Sequence, residues 1–397
     1  MSILEHPRAQ VLLQDAELTS QAVVGCRERL ADYLQRYLPS FFRPEQQRAA
    51  QVILEGKFSN LQRKTAEPIA RQAKTKRKAV QHFLGGGKWD DDKVMQQLWE
   101  HVGEELGDSE AGVLIIDPSG FAKKGTESCG VGRQWCGQLG KVDNCQVGVF
   151  VSYAGPAGHT LVAGQLYLPE DWAEDRSRRE KTHVPEEVVF QEKWRIGLEL
   201  LEQVSPHIPH GWVTGDDEMG RVTEFRAKLR HEHERYVLDV PCNTLLRVID
   251  SDQAHGPFER IDSWAARQPK SAWKTLRIRD GEKGPVEVRV LKRRVQTKDE
   301  DGQPGASETA LAIQTLGADG RLTYALSNAP RKTDLVDLVR AKLSRHRVEE
   351  DLQAGKQEIG LSHYEVRSWV GWHHHITLSI LALWFLVLEL KRLKKKR

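Results

Sequence analysis

Few cysteines, little net charge and no long hydrophobic run set the first limits on this sequence. Its 5 cysteines, Cys26, Cys129, Cys136, Cys145 and Cys242, are odd in number and contain no C-x-x-C pair. This argues against a disulfide framework or a structural zinc site and leaves reduced thiols. The formal charge of +3 is too small to name a partner, so only the local clustering of basic residues is informative. Glu5, Arg8 and Asp15 interrupt the N-terminal apolar residues, so no signal-peptide core is expected there. The most apolar stretch, Ile376 to Leu388, is closed by Glu389. A membrane span needs roughly 20 apolar residues, so a buried helix is expected here instead of an anchor. What is present is 39% hydrophobic and 29% charged residues over 397 positions, which suits a soluble intracellular chain of two or three units.

Residues 1–107 read as helical. Leu30, Tyr33, Leu34, Tyr37 and Leu38 recur at helical spacing until Pro39, and a second helix runs from Pro44 to about Leu54. A basic region then extends from Lys57 to Lys93, with Arg63, Lys64, Lys74, Lys76, Arg77 and Lys78 interleaved with Phe58, Phe83 and Trp89. Such a mixture suits a helical DNA-binding unit, with cations on phosphates and amides such as Gln62, Gln72 and Gln81 near bases. A plain solvated helix face is the alternative.

From Ala111 the periodicity changes. Val113 to Ile116 reads as a buried strand that stops at Asp117, and Gln146–Tyr153 and Thr160–Leu168 read as the next two strands. A helix is expected from about Pro185 to Val204, then a strand, Trp212-Val213-Thr214, ending at Asp216. A helix over Val222–His231 and a strand over Tyr236–Val240 complete the series. The order is α/β, in a ribonuclease H-like layout that still lacks its last helix. Residues 241–330 carry β patterning broken by Asp-Gly turns, and read as an inserted β-rich subdomain before the core resumes over 331–390. Residues 391–397 form a basic tail. The first part of the core spans 108–240.

Asp117 and Asp216 each follow an apolar strand, so adjacent strands would deliver both carboxylates to one sheet edge. Acids so placed suit hard divalent ions for phosphodiester cleavage, in which two metals sit about 4 Å apart; ordinary helix capping is the competing role. In Arg345-His346-Arg347-Val348-Glu349-Glu350-Asp351-Leu352-Gln353-Ala354-Gly355-Lys356, spacings of four and seven residues put Arg345, Glu349 and Lys356 on one helical face. A solvated face with ordinary ion pairs has the same pattern. Asp217 is expected to point away by strand alternation, and Glu350 to lie about 100° around the helix; Glu365 is an outside candidate. Successive histidines diverge on a helix, so His373-His374-His375 is expected to play a polar or phosphate-facing role, not to hold a metal. Trp264 and Trp273 are expected in core packing.

The spacing R-x3-E-x6-K resembles the third-acid signature of DDE transposases from bacterial insertion sequences, the cut-and-paste group with the motif Y-x2-R-x3-E-x6-K. Ile116–Gly125, Gly140–Phe150, Trp212–Asp216 and Gly360–Arg367 are similar to that family's other blocks, so the likeness runs from about Phe41 to Leu386. The resemblance implies Asp117, Asp216 and Glu349 as catalytic, metal-binding residues for two Mg²⁺ ions, with Mn²⁺ as substitute. It implies DNA contacts by Arg345 and Lys356. To these the basic pattern adds Arg63, Lys64, Lys74, Lys76, Arg77, Lys78, Lys123, Lys124, Arg293 and Arg294, with Lys292 beside the last two. The implied partner is DNA, as terminal inverted repeats and target, bound by a homodimer in the bacterial cytoplasm at the nucleoid, with no membrane and no small-molecule substrate. One departure stands out: Lys342 occupies the motif's tyrosine position. A non-catalytic DNA-binding derivative and a membrane-anchored regulator are the rival functions.

Overall fold

The protein folds around one mixed sheet whose ends are built from different parts of the chain. The computed structural model describes residues 24–250, 253–254, 256–281, 284–316 and 320–394. Expectations for residues 1–23, for tail residues 395–397 and for part of the turn at Asp319-Gly320 lie outside the described residues.

Among the described residues five α-helices come first: α1 (Cys26–Tyr37), α2 (Pro44–Lys57), α3 (Ala66–Gln72), α4 (Arg77–Gly85) and α5 (Asp91–Leu106). Pro44 opens α2, where its missing N–H costs nothing. Asp90 caps α5 by accepting from the Lys93 amide at 3.1 Å. The apolar stripe of α1 is buried as its spacing demands, through Leu30, Tyr33, Leu34 and Tyr37.

The sheet begins with β1 (Val113–Ala122), β2 (Gly132–Cys136), β3 (Lys141–Gly155) and β4 (Gly158–Leu166). Helices α6 (Glu170–Glu174), α7 (Arg176–Thr182) and α8 (Lys193–Val204) lead to β5 (Trp212–Gly215). Then follow α9 (Asp217–Gly220), α10 (Thr223–His231) and β6 (Tyr236–Val240). Strand β1 lies between β3, antiparallel to it, and β5, parallel to it, and β6 runs parallel beside β5.

The 241–330 segment supplies β7 (Leu245–Asp250), β8 (Gln253–Ala254), β9 (Glu259–Arg260), α11 (Ile261–Ala266), β10 (Lys274–Gly281), β11 (Gly284–Lys298), β12 (Pro304–Thr315) and β13 (Leu322–Ser327). These strands extend the same sheet: β13 pairs with β6, and the order runs β2-β3-β1-β5-β6-β13-β12-β11-β7-β8. They also carry a hydrophobic cluster of their own, including Leu246, Ile261, Trp264, Val295 and Leu326. The chain returns through α12 (Leu335–Leu343), α13 (His346–Ala354), a π turn at Gly355–Ile359, and α14 (Trp369–Lys394).

Helix α14 is buried at nearly every position from Trp369 to Phe385, because the N-terminal helices cover the side that β4 does not. Tyr33 donates to the Leu381 carbonyl at 2.8 Å, and Arg29 pairs with Glu389 at 2.6 Å. Residues of α1–α5, the sheet and α14 thus form one hydrophobic core, each large buried side chain contributing about 1.5–3 kcal/mol. Among the described residues, no helix is long and apolar enough to cross a membrane.

Several expected boundaries move. Strand β1 does not stop at Asp117, because β3 keeps pairing with it as far as Ala122↔Cys145. The helix expected from Pro185 starts at Lys193, and β2, α6 and α7 lie in stretches whose mixed polarity gave no periodic signal.

Candidate functional site

The register of two parallel strands places the acids. Ile116 of β1 aligns with Gly215 of β5, so Asp117 and Asp216 are the next residues on neighbouring strands. There the two backbones part: β5 ends, while β1 continues along β3. Asp216 caps α9, its Oδ1 accepting from the amides of Glu218 at 3.0 Å and Met219 at 3.2 Å. Metal-type placement and helix capping therefore coincide in one residue. Asp217 is turned aside by α9, where it pairs with Arg221 at 3.2 Å. The strand alternation expected to do this does not apply, since β5 stops at Gly215.

The third acid arrives with a cation. Arg345, at the N-terminus of α13, reaches Glu349 at 3.0 Å, Asp117 at 3.6 Å and Asp239 at 3.5 Å. Burial, then the charge of Asp216, pushes the Asp117 carboxyl up to about 7, and Arg345 opposes that rise. Burial also raises Asp216 and Asp239. Asp239, on β6, was not singled out in the sequence. Its Oδ1 is buried with no hydrogen-bond partner and faces the Lys342 ammonium at 3.4 Å. Lys342 in turn donates to Thr323 at 3.0 Å, so the lysine at the motif's tyrosine position is a buried partner of this fourth acid.

Lys356 comes to the same region through the π turn, donating to Ser119 Oγ at 3.0 Å with its ammonium 5.0 Å from the Phe121 ring centre. Lys123 lies over the Tyr364 ring at 3.3 Å, and burial lowers its pKa to about 8. Lys124 is exposed. Glu350 pairs with Arg347 at 2.6 Å, away from the Arg345 cluster, and Glu365 is exposed. Asp351 is buried against His159 at 2.7 Å and against Ser152, which anchors α13 to the β3–β4 hairpin.

The four carboxylates gather around Arg345 without forming a closed chelate. Among the described residues, no group of three or more His, Cys, Asp or Glu side chains is close enough to hold an ion. The chemistry of the set nevertheless fits hard divalent cations. It offers carboxylate oxygen, burial and then the charge of Asp216 raise the Asp117 carboxyl to about 7, and it already attracts a guanidinium into its midst.

The other basic positions divide. Arg63, Lys74, Lys76, Arg77 and Lys78 are exposed on or beside α3 and α4, with Arg77 near Glu67 at 3.3 Å. Lys64 turns inward, its Nζ donating to the Lys57 carbonyl at 2.7 Å and to that of Glu358. Lys292, Arg293 and Arg294 line a 470 Å³ groove with Lys274 and Arg331. Phe83 and Trp89 do not face solvent: their rings stack at 5.3 Å inside the helical layer.

The histidine run takes a polar role inside the fold. His374 and His375 are buried, and His373, half-buried, bonds the Trp369 carbonyl at 3.0 Å. His374 stacks on Trp89 at 3.8 Å and bonds the Leu84 carbonyl at 3.1 Å, while His375 bonds that of Leu361 at 3.0 Å. A helix enclosed on all sides leaves its polar residues to be satisfied from within the protein, here largely by backbone carbonyls.

Comparison with known proteins gives three findings. Residues 36–285 match the family described as DDE superfamily endonuclease. The probable transposase for insertion sequence element IS701 from Microchaete diplosiphon is 34% identical over 142 residues, which are 35% of this chain and 37% of that protein. The NurA nuclease from Sulfolobus solfataricus aligns with 64% of this chain and 80% of its own, at 10% identity and a TM-score of 0.28, a value that says nothing about shared architecture.

Proposed function

Because this chain belongs to the DDE superfamily endonucleases, we propose that it is the transposase of a bacterial insertion sequence, cutting its element's ends from DNA and joining them to a target. The observation that carries this reading is the register Ile116↔Gly215, which sets Asp117 beside Asp216, together with the Arg345 bridge from Asp117 to Glu349.

In this reading the sheet segment β3-β1-β5-β6 is a ribonuclease H-like core, and Asp117, Asp216 and Glu349 hold two Mg²⁺ ions, or Mn²⁺ in their place. Such ions, when bound, activate the attacking oxygen and stabilise the leaving one. The chain's own residues do the rest. Asp216, locked by its cap to α9, keeps one carboxylate oxygen fixed and leaves the other for a ligand. Lys356, beside Asp117, and Lys123, stacked on Tyr364, are cations for the phosphates of the cut strand. Arg345, which bridges these carboxylates, would offer its guanidinium to phosphate when they hold metal. No side chain needs to act as a nucleophile, so rate comes from positioning and charge stabilisation.

The exposed cations of α3 and α4, and the groove at Lys292, Arg293 and Arg294, bind the terminal inverted repeats. Two ends must be processed together, so a homodimer on DNA is the working form, in the cytoplasm at the nucleoid.

The test is a nicking assay on duplexes carrying the element's ends, with Mg²⁺ or Mn²⁺. Asp117→Asn and Asp216→Asn should each lower cleavage by at least about a thousandfold while end binding persists in a mobility-shift assay. Undiminished cleavage by either variant refutes the assignment.

A further inference from the structure

Outside the acid cluster, a cavity of about 240 Å³ lies between α2, α3 and α4 on one side and residues 363–366 and His375 on the other. Its walls include Ile53, Ile69 and Leu84, and Lys57 and Lys64 also line it. Lys57 is 1% exposed, yet among the described residues its ammonium has one hydrogen-bond partner, Ser379 Oγ at 2.7 Å. An ammonium carries three donors, and among the described residues no carboxylate pairs with this one. Its charged neighbours are cations: Lys64 opposes its charge, and Lys57 in turn disfavours protonation of His375 and His363. The acid in the lining, Glu365, is exposed. A buried cation with one hydroxyl for company is costly to keep charged, and here it borders space several times the ~30 Å³ that one water occupies in the liquid.

We propose that this cavity is an oxyanion site that takes a phosphate group, bound by Lys57 Nζ in the floor with Lys64 and Thr65 beside it. A phosphate supplies the negative charge that the cluster lacks and accepts the unused N–H groups of Lys57. The apolar walls accommodate the organic part of a phosphate ester. Tyr364 forms one wall of the cavity, and the ammonium of Lys123 lies over that ring. The Tyr364 ring is also 6.0 Å from Phe121 on β1. One aromatic side chain thus separates the cavity from Lys123 and from Phe121, whose ring faces the Lys356 ammonium. The phosphate comes either from solution or from a DNA strand passing Lys123, and only the second source rests on the transposase reading.

Thermal melting of the full chain in sodium phosphate, against sodium chloride at equal ionic strength, tests the site. At phosphate tenfold above its dissociation constant, the wild type should gain about 2 °C. Lys57→Met should weaken phosphate binding at least tenfold, and Lys64→Gln less. Lys57→Met is expected to fold, since it removes a buried charge. A second arm replaces phosphate with a short single-stranded oligonucleotide. A Lys57-dependent gain there, without one in phosphate, assigns the site to DNA phosphates. No Lys57-dependent gain in either arm overturns the proposal. Asp117→Asn should keep the gain while losing cleavage, so failure of the oxyanion site and failure of the catalytic reading are separable.

Discussion

Two groups of arginine and carboxylate sit on this sheet, and they are satisfied to different degrees. In the inserted strands, Glu308 is fully buried and both its oxygens are used. Oε1 accepts from Arg226 at 3.1 Å and Tyr236 at 2.5 Å, and Oε2 from Thr297 at 2.6 Å. Arg230 adds a second guanidinium at 3.5 Å. At the acid cluster the proportions reverse. Asp117, Asp216, Asp239 and Glu349 face Arg345 and Lys342, two of the three Arg345 ion pairs are longer than 3.4 Å, and one Asp239 oxygen has no hydrogen bond. A network with every acceptor filled holds a fold together; one left short of cations is built to receive something.

The largest effect should separate these two on stability. Arg226→Ala strands a buried carboxylate and should cost about 3–5 kcal/mol in urea unfolding, whereas Asp117→Asn should be neutral or stabilising, because it removes a carboxyl that burial and Asp216 already hold near neutrality. Equal losses at both sites would erase the distinction.

Lys57 extends the comparison to the opposite charge. Burial lowers it from an ordinary 10.5 to about 7. The folded state therefore binds fewer protons than the unfolded chain between those values. The penalty, on the order of 4–5 kcal/mol at most, is full below about pH 7 and fades as pH rises toward 10.5. Lys57→Met should stabilise the protein at pH 7 by a few kcal/mol, and its advantage should shrink in melts taken between pH 7 and 9.5. Lys64, His363 and His375 face the same amine and stay in place in both proteins, so the difference between them isolates Lys57. A constant advantage would show that Lys57 keeps its proton in the fold as it does in the unfolded chain.

A smaller effect concerns Arg345 itself. If it stands where divalent ions are to bind, its guanidinium competes with them. Arg345→Gln should then gain about 2–4 °C more than wild type on adding Mn²⁺ in thermal melts. An unchanged or smaller gain would mean that Arg345 belongs to the ion-binding form.

Much of this was legible in the sequence, for physical reasons. Short apolar runs that end in acid announced β1 and β5, and the order of elements placed them side by side. Asp239 was hidden because its importance arises only when β6 pairs beside β5 and α12 brings Lys342 over it; neither contact has a local signature. Lys57 read as the first residue of a basic surface run, but α14 covers it. The histidines play the polar role expected, but their burial had no local signature: helical spacing tells which residues share a face, and not that every face of α14 is enclosed there.

The smallest expected effect tests the comparison inside a single helix. Glu349, Glu350 and Asp351 are consecutive on α13, and each meets a different fate. Asp351 is buried and bonded, Glu349 reaches Arg345, and Glu350 pairs with Arg347 while 45% exposed. An exposed pair is screened by water, so Glu350→Gln should change stability by less than about 0.5 kcal/mol, although the carboxyl is held below its usual range by Arg347. Cleavage should stay within about twofold of wild type, because a turn of 100° per residue carries Glu350 away from Arg345. Glu349→Gln, equally mild for the fold, should remove cleavage. If the two variants exchanged these outcomes, the acid that completes the site would be Glu350, and the Arg345 bridge would be an ordinary helical ion pair.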